Sequence, residues 1–175
     1  IGAIEVEKDK SLGVAELDYN QDGYPDIMVS NDTERDLLYE NNGDGTFTER
    51  SVAAGVAYDM HGQPRAGMGI DVGVLDETGE TSIVIAHFTE ETIGVFRHAG
   101  NGVFMDRAAS SRIGHPSLMR LTFSVLLLDV ELDGDLDVFA ANGHVQPHIG
   151  KMLQGVSFRQ KPQLYINDGT GLFED

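Results

Sequence analysis

Three segments of this chain share one internal order, and that repeat limits the fold more than any other feature. The first runs from Leu17 to Val29, followed by Leu38 to Phe47. The second runs from Val72 to Val84, followed by Val95 to Phe104. The third runs from Leu128 to Phe139, followed by Leu164 to Phe173. Turn glycines measure the period: Gly23 and Gly79 lie 56 residues apart, and Gly79 and Gly134 lie 55 apart. Inside a unit the matching glycine follows after 22 residues at Gly45, 23 at Gly102 and 37 at Gly171. The third unit therefore holds about 14 extra residues, placed in the insertion 143–161. Agreement of this kind marks a chain built from stacked supersecondary units.

Each unit contains about four short apolar or alternating runs, such as Asp26-Ile27-Met28-Val29 and Gln163-Leu164-Tyr165-Ile166, bounded by Gly, Asn, Asp or Pro. That pattern predicts an all-β chain with tight turns. Four antiparallel strands joined by hairpins make one propeller blade. The expectation is a single β-propeller region over 1–175, with blade units at about 10–66, 67–120 and 121–175. Closed propellers take about four to eight blades. Three blades are then an arc of a larger, about seven-bladed propeller, completed by further blades of the same chain or by neighbouring subunits.

The chain has 12 Lys and Arg against 29 Asp and Glu, a net charge of −17. Nucleic acid and anionic membrane surfaces need Lys/Arg patches, so neither is expected as the main partner. With no Cys, a disulfide framework, thiolate zinc sites and Cys nucleophiles are excluded. No apolar run approaches the ~20 residues of a membrane span.

The acidity is concentrated where it can hold a cation. Asp18, Asn20 and Asp22 occupy positions 1, 3 and 5 of a loop, with Gly23 at the sharp turn, Tyr24 offering its carbonyl at position 7 and Asp26 at position 9. Asp129, Glu131, Asp133, Gly134, Asp135 (through its carbonyl) and Asp137 fill the same slots in the third unit. Calcium takes six to eight oxygen ligands, which this set supplies. An EF-hand needs Glu at position 12, but Val29 and Ala140 stand there, in strand-like runs. Like charges packed on one short loop oppose folding, and a divalent ion reverses that effect. Two calcium sites are expected. The middle unit has Val74, Asp76, Thr78, Gly79 and Ser82 in these slots, which predicts the same hairpin without a tight metal.

These residues resemble the FG-GAP/VCBS repeat family of calcium-binding β-propellers, whose blades pair such a loop with an N-x-G-D-G-x-F hairpin. Asn42-Gly43-Asp44-Gly45-Thr46-Phe47 and Asn167-Asp168-Gly169-Thr170-Gly171-Leu172-Phe173 are similar to that hairpin. Ala66-Gly67-Met68-Gly69 and Ala141-Asn142-Gly143-His144 resemble stretches of the cartilage-acidic-protein-like subgroup associated with ASPIC/UnbV regions. The resemblance implies calcium as a structural ion, an extracellular, periplasmic or cell-surface location, and a binding, adhesion or scaffolding role towards a protein or glycan. The degenerate second loop and Glu131 depart from the pattern, and no segment reads as an ASPIC/UnbV region.

Enzyme motifs are missing: there is no Gly-x-Ser-x-Gly, His-Glu-x-x-His or P-loop. Two alternatives stand: a carbohydrate- or lipid-active propeller enzyme with its catalytic residues elsewhere, and a structural subunit of a surface assembly. His144 and His148 have the spacing of a metal pair, but Pro147 lies between them. Asn31-Asp32-Thr33 is a formal glycosylation sequon. Recurrent aromatics such as Tyr39, Phe96 and Tyr165 are expected in the core rather than on a sugar-stacking surface.

Overall fold

The computed structural model describes residues 9–175, so the first eight residues of the expected 1–175 region lie outside the described part. Twelve strands form three four-stranded antiparallel sheets in chain order. The first holds β1 (Ser11–Leu17), β2 (Asp26–Asn31), β3 (Leu37–Asn41) and β4 (Phe47–Glu49). The second holds β5 (Ile70–Val74), β6 (Thr81–Ile85), β7 (Gly94–His98) and β8 (Phe104–Asp106). The third holds β9 (Leu121–Leu128), β10 (Asp137–Gly143), β11 (Gln163–Asn167) and β12 (Phe173–Glu174). Among the described residues, helix is confined to α1 (Gly114–Ser117) and one short 3-10 turn, Ile149–Lys151. The all-β architecture read from the repeat is the one observed, with four strands per unit.

The sheets stack face to face as propeller blades do, with β1 beside β5 and β5 beside β9. Met28 and Leu38 of the first blade pack with Ile83, Ile85 and Phe96 of the second. Val84 and Val95, on the opposite face of the second blade, pack with Val138, Ala140 and Tyr165 of the third. All ten are 1% exposed or less. Full burial of one such side chain stabilises by roughly 1.5–3 kcal/mol, so these two seams carry most of the fold. Of the recurrent aromatics, Tyr39, Phe96, Phe104, Tyr165 and Phe173 are buried, as core residues, and Phe47 is half-buried.

Ala66–Gly69 joins the three blades. The Gly67 amide bonds the Asn31 carbonyl of the first, Met68 bonds Ala86 of the second, and Gly69 bonds Phe123 of the third. A Cβ on Gly69 would lie 2.6 Å from the Ser124 Cα, so only glycine allows this approach.

A buried polar joint lies beside this segment. Asp36 accepts the Asn31 amide at 2.9 Å. Glu91 accepts the Ala66 amide at 2.9 Å. Arg65 pairs with Asp106 at 3.1 Å and lies 5.2 Å above the Phe96 ring. Burial pushes the Asp36 carboxyl up to about 7, against the lowering effects of the Asn31 amide and the Arg65 guanidinium. Burial, helped by Arg65, holds His87 well below the usual imidazole range, and its Nδ1 donates to the Thr92 carbonyl.

Candidate metal centre

The strands run between two ends of the array. At one end sit the inner hairpin loops 18–25, 75–80 and 129–136 and the outer hairpin turns after β3, β7 and β11. The expected metal ligands all lie there.

In the first loop the side chains turn inward onto the loop's own amides. Asp18 accepts the Asp22 amide at 3.1 Å and the Gly23 amide at 2.9 Å. Asn20 shares the Asp22 amide at 3.2 Å and donates to the Asp22 carboxylate at 2.9 Å. Asp22 accepts the Tyr24 amide at 2.9 Å. Positions 1, 3 and 5 are therefore gathered around one turn. Gly23 has φ +85° and Gly134 has φ +101°, left-handed values that glycine adopts without strain.

Asp26 is placed differently. It is buried at the start of β2, and its two oxygens accept the Tyr19 amide at 2.9 Å and the Asn41 amide at 2.8 Å. Burial raises its carboxyl pKa, the two amides lower it, and Asp22 and Asp18 add to the rise. In this structure Asp26 ties the loop to β3.

The third loop repeats the scheme. Asp129 accepts the Asp133 amide at 3.2 Å and the Gly134 amide at 3.0 Å, and Asp133 accepts the Asp135 amide at 3.0 Å. Asp137, also buried, accepts the Val130 and Asn167 amides, each at 2.9 Å. Partial desolvation, a hydrogen bond with Asp133 and repulsion from Asp133, Asp137 and Asp129 raise the Glu131 carboxyl pKa. Asp135 is raised by partial desolvation and by the neighbouring acids, including Glu77 of the adjacent blade.

The donor set has the hard oxygen chemistry calcium takes. The oxygens of Asp18, Asn20 and Asp22 in the first loop and of Asp129 and Asp133 in the third are engaged with the backbone amides of their turn. Among the described residues, no group of three or more Asp, Glu or His side chains is drawn together tightly enough to chelate an ion.

The middle loop keeps the length of the others: Gly73 pairs with Ser82 as Leu17 pairs with Asp26 and Leu128 with Asp137, and Val74 with Thr81 closes one further pair inside it. A cation is already present: Arg97 pairs with Asp76 at 3.0 Å and donates to the Gly171 carbonyl of the third blade.

Two structural residues escaped the motif reading. Asn41 donates to the Pro25 carbonyl and accepts the Gly43 amide, both at 3.0 Å. Asn167 donates to the Leu136 carbonyl at 3.0 Å and accepts the Gly169 and Gly171 amides at 3.2 and 3.0 Å. Each Asn joins an inner loop to its outer hairpin. Their signal was the shared Asn two residues before the first glycine of each Gly-x-Gly hairpin; the middle blade has His98, which accepts the Gly102 amide at 3.2 Å.

The other candidates separate. His144 is buried and His148 exposed. Asn31 is fully buried, its side-chain amide bonded to the Arg35 carbonyl at 2.7 Å, so the sequon is not presented to solvent. No helix among the described residues is long and apolar enough to cross a membrane.

The first loop and its strands have a known likeness. Residues 18–85 match the family model described as FG-GAP-like repeat. The match starts at the first loop residue, Asp18, and ends at Ile85, the last residue of β6. It supports the FG-GAP resemblance over less than half of the chain. No curated protein matches the sequence.

Proposed function

We propose that this chain is a calcium-binding propeller module of the FG-GAP kind, in the cartilage-acidic-protein-like subgroup. It serves binding, adhesion or scaffolding at an extracellular, periplasmic or cell-surface location. The observation that carries the reading is the duplicated loop. Five positions recur in the first and third blades with the same bonds from positions 1, 5 and 9 to the same backbone amides. Asp18, Asn20, Asp22, the Tyr24 carbonyl and Asp26 would hold one ion; Asp129, Glu131, Asp133, the Asp135 carbonyl and Asp137 the other. Bound calcium supplies charge neutralisation, which stabilises the folded loops by linkage. Asp26 and Asp137 then brace the site from β2 and β10 while presenting the remaining lone pairs of their carboxylates.

The arc reading has support in the packing. Phe139, Leu126 and Leu164 share the face of the third blade that corresponds to Met28 and Leu38 in the first and Val84 and Val95 in the second. The earlier pairs are fully buried by the next blade, whereas Leu126 is 51% and Phe139 36% exposed. A fourth blade is the covering this face fits, from the rest of a longer chain or from a neighbouring subunit.

Calorimetric titration of the calcium-stripped protein tests the metal reading. Two sites are expected, falling to one in Asp18→Asn and one in Asp129→Asn. Heats indistinguishable from buffer dilution would remove it.

A further inference from the structure

The charge of this molecule is divided between its ends. The six turns at the metal-loop end contain 11 acids and no Lys or Arg. The reverse holds over the third blade. Residues 107–128 and 138–167 contain no Asp or Glu and hold six of the chain's 12 Lys and Arg.

At the end away from the metal loops, these stretches form a cap from α1 and its exit to Arg120 and from the insertion between β10 and β11. The insertion is an ordered platform. Its base is closed by the His144 amide on the Phe158 carbonyl at 3.0 Å, and Ile149 and Val156 are buried beneath it. Gln160 accepts the Leu121 amide at 3.0 Å, and Gln163 donates to the Pro116 carbonyl at 3.4 Å, joining the two parts.

The outer surface of the platform is both cationic and apolar. Lys151, Arg159 and Lys161 are exposed and form no ion pair among the described residues. Beside them in the chain Met152 is 74% exposed, Val145 57% and Phe158 43%. With 29 acids in the chain, a basic platform whose own stretches contain none is unusual, the acid beside it being Asp175, which accepts from Gln163 at 2.8 Å, and clustered exposed apolar side chains mark contact surfaces.

We propose that this cap is a docking surface for an acidic polypeptide segment carrying apolar side chains. The apolar groups set it apart from a surface for a plain polyanion such as a sulfated glycan or nucleic acid. An anionic bilayer fits poorly, because the loops of the first two blades at the same end are acidic, with Glu34 and Glu90 exposed. A flat anionic plane meets both regions, whereas a narrow segment meets the cap alone. The acids at the far end lie several strand residues away, beyond a Debye length of ~8 Å at physiological salt. The proposal does not rest on calcium.

The test uses a fluorescent synthetic peptide of sequence Leu-Asp-Val-Glu-Leu-Asp-Gly-Asp-Leu-Asp, which alternates acidic and apolar side chains. Anisotropy is measured on the full chain, with chelator present, at physiological salt. Saturable binding is expected, weakened at least tenfold by the combined Lys151→Glu, Arg159→Glu and Lys161→Glu changes. Met152→Ser with Phe158→Ser should weaken it several-fold with the charges intact. Circular dichroism and an unchanged melting point confirm folding, and Lys151→Gln with Lys161→Gln is the milder second variant. No saturable binding at millimolar peptide, or equal binding by the charge-reversed variant, overturns the proposal. Tighter capture of heparin or of phosphatidylserine vesicles than of the peptide also overturns it, and assigns the cap to that class.

Discussion

Asp36 makes the stability of this protein depend on pH in a way that can be isolated. Its carboxyl is buried beside the segment joining the first two blades, and burial raises its pKa from 3.8 to about 7. A carboxyl with a raised pKa binds its proton more tightly when folded. Its stabilisation is complete below the unfolded pKa and is lost as pH rises through the folded value. One pKa unit corresponds to about 1.4 kcal/mol, so a rise of about three units costs roughly 4 kcal/mol between pH 4 and 7. Asp36→Asn keeps an oxygen for the Asn31 amide and removes the ionisation. Urea unfolding of both proteins from pH 4 to 8.5, in chelator, gives a difference curve in which other titrations cancel. The variant should gain on the parent by up to about 1.4 kcal/mol per pH unit and level off above pH 7. A flat difference refutes the reasoning. A difference that falls with pH shows instead that an ionised Asp36–Arg65 pair stabilises the fold.

The clamp asparagines should matter as much as the loop acids. Asn167→Ala removes bonds to the Leu136 and Leu75 carbonyls at a buried position and should cost about 2–3 kcal/mol in urea unfolding, because buried partners are left unsatisfied. Arg97→Met should destabilise by about 1–2 kcal/mol to the same degree with calcium or chelator, since its partners are Asp76 and a carbonyl of the next blade. A calcium-dependent loss would contradict that assignment. Phe96→Ala, at the seam of the first two blades, should cost about 3–5 kcal/mol, and a loss below 1 kcal/mol would show that the seam is loosely packed.

The blade pattern was legible because the repeat carries its own ruler. Gly23, Gly79 and Gly134 mark equivalent turns, and the apolar runs between them alternate at strand period. The same ruler holds at the middle loop, where counting back from Gly79 places Val74 opposite Asp18 and Gly73 pairs with Ser82 as Leu17 pairs with Asp26; what the glycines do not show is the further Val74–Thr81 pair that tightens it. Asp26 and Asp137 read only as ligands in the sequence, because a motif does not show that one carboxylate oxygen takes an amide of β3 or β11 and the other an amide of the loop itself. The clamp asparagines were hidden for a related reason: each is seen to act only when two hairpins distant in the chain are laid side by side. The acid-free stretches were countable in the sequence. Only the fold puts them at the end opposite the metal loops.

The central claim, calcium held by the first and third loops, is tested most directly by thermal melting in excess calcium and in chelator. The protein should melt several degrees higher in calcium, since an ion at 100 times its dissociation constant adds about 2.7 kcal/mol per site. The combined Asp18→Asn and Asp129→Asn variant should show no calcium shift. Coincident curves for the parent protein in calcium and chelator, or a full calcium shift in the double variant, would contradict the account.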